Sequence, residues 1–310
     1  MRKIMHHRLI SMLKQFPILC ALAILRILSW VPQALLNLLG GALGTLAYYL
    51  LAHRRKVGWV NLSLCFPDMT KQEKTVLLKQ HFCELIRSIL SYGLLFYASA
   101  DKLRRIVKIR GLENYTQVRG TRPIIILAPH FLALDLGANR LTLETSGCSV
   151  YAKQRNDYIT ERLKEARLRF IKAQGGEIFS RQEGLRPVVR KMRETLLPLY
   201  YLPDQDMDQR ESIYVPFFAH KNCATISTLP KLATLTNALV IPMATYREGN
   251  HYVVELGRVW EDYPSMDVPA DVAQMNRRIE TMIMQHPSQY LWLHKRFKTQ
   301  PDLERGNLYN

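Results

Sequence analysis

Cysteine is scarce in this chain. Its 310 residues include five cysteines, which are odd in number, widely spaced and without a Cys-x-x-Cys pair. Such a set suggests neither a disulfide framework nor a zinc site, and it fits a reducing compartment. The sequence also lacks a Gly-x-Ser-x-Gly segment, so it gives no sign of the nucleophile elbow of the α/β-hydrolases.

Acidic residues are scarce relative to basic ones. The chain has 43 Lys and Arg against 26 Asp and Glu, which gives a formal net charge of +17. This excess implies anionic partners, such as acidic lipids, phosphorylated substrates, acidic proteins or nucleic acid. Nucleic acid is the least expected of these, because the basic residues are dispersed and no recognised nucleic-acid-binding module occurs.

Charge is absent from one long stretch near the N-terminus. Residues 27–52 contain no charged side chain, and this run exceeds the roughly 20 residues that a helix needs to cross a bilayer. It predicts a membrane-anchoring helix, which Pro32 and nearby glycines could kink. A hairpin-like anchor, or a buried helix of a soluble protein, stays open. A cleavable signal peptide is not expected, because the span is too long and no Ala-x-Ala site follows it.

Basic residues flank the uncharged stretch on both sides. Arg2, Lys3, Arg8 and Lys14 precede it, and residues 53–56 read His-Arg-Arg-Lys. Such cations bind an anionic leaflet and favour the cytoplasmic side. We therefore predict an N-terminal anchor with basic flanks over residues 1–56 and a second domain over residues 57–310, on the cytoplasmic face of a membrane.

Apolar segments of two lengths alternate along the second domain. Strands are predicted at 106–109, 124–128, 149–152, 197–201, 239–246 and 251–256, and helices at 132–144, 159–173, 183–194, 225–237 and 270–284. The alternation predicts an α/β fold with a mixed, mainly parallel sheet flanked by helices. Reactive groups of such folds collect at the carboxyl ends of the strands.

A histidine and a carboxylate follow the most apolar of these strands. His130 comes just after residues 124–128, and Asp135 lies five positions later. A five-residue step brings two side chains together neither on a helix nor on a strand, so the pair can meet only across a turn. We predict that His130 acts as a general base and that Asp135 holds its tautomer.

Three other polar clusters are candidates for the same site. Lys153 and Arg155 follow a predicted strand and precede a helix, where cations can meet an anion. Arg181 ends a glycine turn and a short strand, and its guanidinium can hold a phosphate with two hydrogen bonds. Asp204 and Asp206 follow another apolar strand and could orient these cations or bind a metal; the metal is the weaker option, since no third ligand lies close in sequence.

These segments, taken in order, resemble the blocks of the lysophospholipid and glycerolipid acyltransferases. His130-x4-Asp135, residues 175–181, residues 202–206 and residues 240–242 correspond to the four blocks. The late lipid A acyltransferases, in their lauroyl/myristoyl branch, are the closer match, because residues 61–68 and 289–298 are similar to segments of that branch. The third block reads Pro-Asp-Gln-Asp instead of Glu-Gly-Thr-Arg, and the first block has Asp135 where some members of the branch carry glutamate.

The resemblance implies a glycerolipid acyltransferase-like fold and an acyltransferase acting in lipid A biosynthesis at the bacterial inner membrane. His130 would deprotonate a hydroxyl of a phosphorylated glycolipid acceptor, which would attack the thioester of an acyl-carrier protein without an acyl-enzyme or a cofactor. Lys153, Arg155 and Arg181 would hold acidic groups of the acceptor, and Asp204 and Asp206 would position those cations or the sugar.

Two alternative functions stay open from the sequence. One keeps the chemistry but transfers the acyl chain to another lysophospholipid or glycolipid. The other is a non-enzymatic, membrane-tethered protein that binds anionic lipid through its cationic surface.

Overall fold

The structure of the protein is a computed structural model, which describes residues 2–154, 156–207, 212–265, 267–301 and 308–309, with side chains from Gln15 onwards. The helices are α1 (Arg2–Leu28), α2 (Gln33–Leu50), α3 (Ala52–Cys65), α4 (Lys71–Ser91), α5 (Gly93–Tyr97), α6 (Ala100–Ile106), α7 (Leu112–Thr116), α8 (Leu134–Leu141), α9 (Asp157–Leu168), α10 (Arg186–Thr195), α11 (Thr228–Thr236) and α12 (Val268–Gln285). The strands are β1 (Val107–Arg110), β2 (Ile124–Leu127), β3 (Cys148–Tyr151), β4 (Glu177–Ser180), β5 (Leu199–Tyr201), β6 (Ser212–Phe217), β7 (His220–Ile226), β8 (Leu239–Glu248) and β9 (His251–Leu256).

Seven of the strands form one sheet in the order β1-β9-β8-β2-β5-β3-β4. Strands β8, β2, β5, β3 and β4 run parallel, β9 is antiparallel to β8, and β1 is parallel to β9. The prediction of a mixed, mainly parallel sheet flanked by helices is confirmed. The antiparallel hairpin of β6 and β7 was not predicted, and β7 includes the start of the helix expected at 225–237.

Helices cover both faces of the sheet, which explains the unbroken apolar run in β2. All four of its residues are buried, because a central parallel strand has no solvent-facing side. Ile124 and Ile126 pack in a cluster with α8 residues such as Leu136 and Leu141. The alternate β2 residues face a second cluster, which includes side chains of α10, α11 and α12.

The N-terminal region is not the single helix expected over residues 27–52. Helix α1 ends at Leu28, and α2 begins after Pro32, which cannot donate a backbone hydrogen bond to the preceding turn. Within the described residues, no single helix is both long and apolar enough to cross a membrane. Helices α2 and α3 meet that length and composition together, but they are bent by 90°.

Helix α2 packs against α4 through its glycines. A Cβ atom added at Gly44 would lie 2.4 Å from the Cα of Cys83, so the two helix backbones approach closely there. Helix α3 crosses the predicted boundary at residue 56, and Tyr48 and Val57 lie in the same buried cluster. The division into an anchor and a second domain stays a prediction.

Candidate active site at the carboxyl ends of the parallel strands

His130 lies on a tight turn that follows β2 directly. The turn is held from two sides by backbone hydrogen bonds: Ala128 donates to the carbonyl of Tyr201 at the end of β5, and Leu291 donates to the carbonyl of His130. Leu132 also donates to the carbonyl of Gln289, and Phe131 forms an isolated bridge with Tyr290. The C-terminal segment around Tyr290 therefore fixes the position of the histidine.

Asp204 is the carboxylate that holds the ring of His130. The Nδ1 atom of His130 lies 2.6 Å from Oδ1 of Asp204, and the backbone N–H of His130 donates to Oδ2 at 2.8 Å. The Asp204 side chain is 1% exposed and that of His130 is 17% exposed. Because a carboxylate only accepts hydrogen bonds, this contact assigns the ring proton to Nδ1 and leaves Nε2 as the basic nitrogen.

The environment of Asp204 keeps it ionised. Burial alone would raise the pKa of this carboxyl, but the charge and hydrogen bonds of His130, together with the nearby Arg296, lower it below its usual value. The hydroxyl of Tyr290 also donates a hydrogen bond to Asp204. Burial, and to a smaller extent the charge of Asp204, holds the pKa of this phenol well above its usual value. The site therefore contains a stable carboxylate with a neutral hydroxyl beside it.

Asp135 does not hold the His130 ring, so the predicted pairing is wrong in its geometry. Its carboxylate accepts hydrogen bonds from Arg167, at 3.0 Å from Nε and 3.3 Å from Nη2, and a short one from Tyr92. Asp135 lies in the first turn of α8, while the ring of His130 turns toward β5. The parallel pairing of β2 with β5 puts Asp204 at the nearer position.

Arg167 was missed by the sequence analysis. It lies near the end of α9 and pairs with Asp135, whose charge raises the pKa of the guanidinium further despite burial. Nothing local in the sequence distinguishes Arg167 from the other basic residues of its helix. Tyr92 and Tyr290 were missed for the same reason, since each reaches the site from an element far away in the chain.

A cavity of about 320 Å³ opens beside these groups. His130, Asp135 and Arg167 line it, and the remaining wall is mostly apolar. It follows α8 from Asp135 to Leu141 and continues past the start of β3 at Cys148. The apolar lining beyond the polar groups includes Ala138, Leu141, Cys148, Val150, Ile171, Ile178 and Pro198.

Two of the three predicted cations, Lys153 and Arg181, are exposed at the ends of strands. Lys153 is exposed after β3, and Arg181 is exposed after β4, where its Nη1 contacts the sulfur of Met207 at 3.6 Å. Both residues follow the carboxyl end of a parallel strand, as His130 does, so they lie at the same end of the strands. Arg155 lies outside the described residues.

Asp204 and Asp206 serve different partners, although they are two residues apart. Asp206 accepts hydrogen bonds from the backbone N–H and the hydroxyl of Thr299, at 2.7 and 2.8 Å. Its own N–H donates to Nε2 of His294. The contacts of Asp206 therefore tie two loops together. Over the described ranges, no group of three or more His, Cys, Asp or Glu side chains could hold a metal ion.

Comparison with known proteins agrees with the resemblance seen in the sequence. A model of the bacterial lipid A biosynthesis acyltransferase family matches residues 5–299. A lipid A biosynthesis acyltransferase of Haemophilus influenzae is 31% identical over 93% of this chain and 92% of its own length. A lipid A biosynthesis lauroyltransferase of Escherichia coli is 30% identical over 88% of each chain, and a myristoyltransferase of that species is 27% identical over 83% and 79%.

Among solved structures, a 1-acyl-sn-glycerophosphate acyltransferase, PlsC from Thermotoga maritima, covers 79% of this chain and 96% of its own. Its sequence is 12% identical to this chain and the TM-score is 0.38. The family match extends over nearly the whole chain, and the relatives align along most of their own length. The chain belongs to the bacterial lipid A biosynthesis acyltransferase family.

Proposed function

We propose that this acyltransferase moves a fatty acyl chain from acyl-carrier protein to a hydroxyl of a phosphorylated lipid A precursor. The observation that carries this proposal is the pair of His130 and Asp204, in which His130 lines a mostly apolar cavity. A basic nitrogen, a buried carboxylate and an apolar cavity are what acyl transfer to an alcohol requires.

His130 acts as the general base. Its Nε2 removes the proton from the acceptor hydroxyl as the oxygen attacks the thioester carbonyl, and the carbon–sulfur bond then breaks. The departing thiolate receives the proton from the imidazolium. Asp204 keeps the proton on Nδ1 and stabilises the positive ring that forms during the reaction. No acyl-enzyme is needed, because the thioester is already an activated acyl donor.

Arg167 and Asp135 form the second part of the proposed machinery. Asp135 accepts two hydrogen bonds from the guanidinium of Arg167, and both side chains line the cavity with His130. A fixed positive charge at this position stabilises the negative oxygen that develops on the thioester carbonyl. In this proposal Asp135 acts through Arg167, as a positioning residue.

The cavity along α8 and β3 receives the acyl chain. Apolar side chains make up most of its lining beyond His130, and the hydroxyl groups of Thr145 and Ser149 lie among them near Cys148. Each buried methylene contributes about 0.8 kcal/mol, so an apolar cavity of this kind holds a fatty chain with its carboxyl end near the histidine.

Cations that follow the carboxyl ends of β3 and β4 hold the acidic groups of the acceptor. Lys153 and Arg181 are exposed there, as a large phosphorylated head group requires. Arg155 follows Lys153 in the chain, and we assign it the same role from sequence alone. Asp206 takes no direct part in this proposal.

The exposed apolar side chains of α1 and α2 attach the protein to the cytoplasmic face of the bacterial inner membrane. Helix α2 buries Leu36, Gly40 and Gly44 against the body of the protein. Its opposite side, with the end of α1, exposes a large apolar surface, which marks a membrane contact. The exposed residues include Phe16, Leu19, Ile24, Ile27, Trp30, Leu35, Leu38, Leu43, Leu46, Tyr49 and Leu50.

The test is acyl transfer in purified membranes, with radiolabelled lipid A precursor and a set of acyl-carrier proteins whose acyl chains differ in length. We expect label in the acylated precursor from wild-type protein, and a loss of on the order of a thousandfold or more in His130→Ala. The control is His251→Ala, a histidine outside the cavity. Full activity of purified His130→Ala would refute the general base, and label in a hexose-free phospholipid would refute the acceptor.

A further inference from the structure

Helix α10 carries a row of arginines on one exposed side. Arg186, Arg190 and Arg193 are four and three residues apart, which places them on the same face of a helix with about 3.6 residues per turn. All three are exposed. Among the described residues, Arg186 and Arg190 form no ion pair, whereas Lys191, on another side of α10, lies 3.6 Å from Glu177.

An apolar groove runs beside this row, between α10 and α11. Leu185, Val189 and Leu235 line it together with the three arginines and Glu194, and its volume is about 460 Å³. Leu235 is 53% exposed and Leu185 is 37% exposed. Arg193 donates to the carbonyl of Leu235, which fixes one helix against the other and keeps the groove open.

We infer that this groove is the docking surface for an acidic amphipathic helix of a partner protein. Exposed leucines supply the apolar contact, and the arginines that line the same groove select an acidic partner. This inference rests on the proposed function, in which the partner is the acyl-carrier protein that brings the thioester.

Helix α10 lies next to the strand that borders the cavity, on the opposite face of the sheet. Helix α10 follows β4, and two neighbouring β4 residues face opposite sides of the sheet: Ile178 lines the cavity, while Phe179 packs in the cluster that contains Val188 of α10. The helix begins just beyond the carboxyl end of β4. His130 also follows the carboxyl end of a parallel strand, β2, so both lie at the same end of the strands. A carrier bound along α10 therefore lies beside the strand that borders the cavity.

The groove is separate from the apolar surface assigned to the membrane. Helix α2 contacts the turn between β8 and β9, where Asn37 donates to the carbonyl of Gly249 and to the side chain of Asn250. Strands β8 and β9 lie toward one edge of the sheet, and β4 forms the other edge. A partner on α10 can therefore bind while α2 stays in contact with lipid.

The test compares Arg186→Glu/Arg190→Glu with wild-type protein in two measurements: binding of fluorescently labelled acyl-carrier protein by anisotropy, and the KM for the acylated carrier. We expect Kd and KM to rise on the order of tenfold or more, and the strong salt dependence of wild-type binding to weaken. The kcat with a small pantetheine thioester should not change. The control is Arg105→Glu/Arg119→Glu, the same charge change on exposed residues near β1.

The inference would be overturned if Arg186→Glu/Arg190→Glu had the same Kd and KM for the carrier as wild-type protein. It would also be overturned if this variant kept its affinity for the carrier but lost binding to vesicles of anionic phospholipid. If wild-type protein binds the carrier but transfers no acyl chain, the proposed function fails, while a specific loss of carrier binding in the double variant still supports the docking surface. If the glutamate variant fails to fold, Arg186→Gln/Arg190→Gln gives the same comparison with half the charge change.

Discussion

The Nδ1 atom of His130 lies 2.6 Å from Oδ1 of Asp204, a residue 74 positions further along the chain. The two residues follow β2 and β5, which are parallel neighbours in the sheet. The backbone N–H of His130 donates to the other carboxylate oxygen, so the aspartate fixes both the ring and the turn that carries it. A change at Asp204 therefore alters the geometry of the proposed base directly.

Replacing Asp204 by asparagine should lower kcat by about two to four orders of magnitude, because the buried anion that stabilises the imidazolium is lost. The measurement is kcat against pH for purified protein. Asp101→Asn, on a side chain that is 89% exposed, is the control and should keep wild-type activity. An unchanged kcat in Asp204→Asn would show that another group supports His130.

The contact between Asp135 and Arg167 predicts strongly coupled effects of mutation. Asp135→Asn and Arg167→Gln should each reduce kcat/KM substantially, and the double variant should be little worse than the more damaged single one. The expected interaction free energy is about 1 to 3 kcal/mol, typical of residues in direct contact. Losses of the two single variants that simply add would mean that Asp135 acts on the reaction independently of Arg167.

Two glycines of α2 should respond differently to alanine. A Cβ at Gly44 would meet the backbone of Cys83, which cannot move without separating α2 from α4, whereas a Cβ at Gly41 would meet only the end of the Arg87 side chain. We expect Gly44→Ala to lower the free energy of unfolding by about 1 to 3 kcal/mol. Gly41→Ala, its matched control, should be neutral or slightly stabilising.

Thermal or denaturant unfolding of both variants in detergent checks this difference. Equal stability of Gly44→Ala and Gly41→Ala would show that the two helices do not pack as closely as described.

His81 should make the protein sensitive to acid. Complete burial lowers the pKa of its ring from 6.5 to about 4, and its Nδ1 lies 3.0 Å from the carbonyl of Ser288. Between these two pH values the unfolded chain binds a proton that the folded protein does not, so stability falls as the pH falls through this window and levels off below it. Over this window the titration of His81 lowers the free energy of unfolding by about 3 kcal/mol.

The free energy of unfolding measured from pH 7 to pH 4 should therefore fall less steeply in His81→Gln than in wild-type protein. His294, whose pKa burial also lowers to about 4, maintains part of the slope in both proteins. The control is the exposed His53→Gln, which should retain the full wild-type slope. A slope in His81→Gln as steep as that of wild-type protein would rule out the buried neutral ring.

Prediction from the sequence succeeded where a short segment contains the whole signal. The apolar run before His130 is β2, and the alternation of strands and helices predicted the mainly parallel sheet. It failed at two places that are also local: the β6 and β7 hairpin was missed, and the uncharged stretch of residues 27–52 was read as one helix although Pro32 divides it.

At the site, the sequence predicted the residue with a local signal but not its partner from a distant segment. His130 was found from its position after a strand, but Asp135 was paired with it because the two are close in sequence. The choice between Asp135 and Asp204 depends on which strand lies beside β2, and no local pattern encodes that order. Arg167 was missed because a lone arginine in a charged helix has no distinguishing neighbour.

Composition and local pattern were therefore enough to establish the class of fold, the strand that carries the histidine, the excess of positive charge and the family resemblance. Only the folded chain decided the partner of His130, the link between Arg167 and Asp135, and the arginine groove on α10. The physical reason is that apolar periodicity acts over a few neighbouring residues, whereas the contacts of a polar group in a sheet protein depend on strand order and register, which arise from packing of the entire chain.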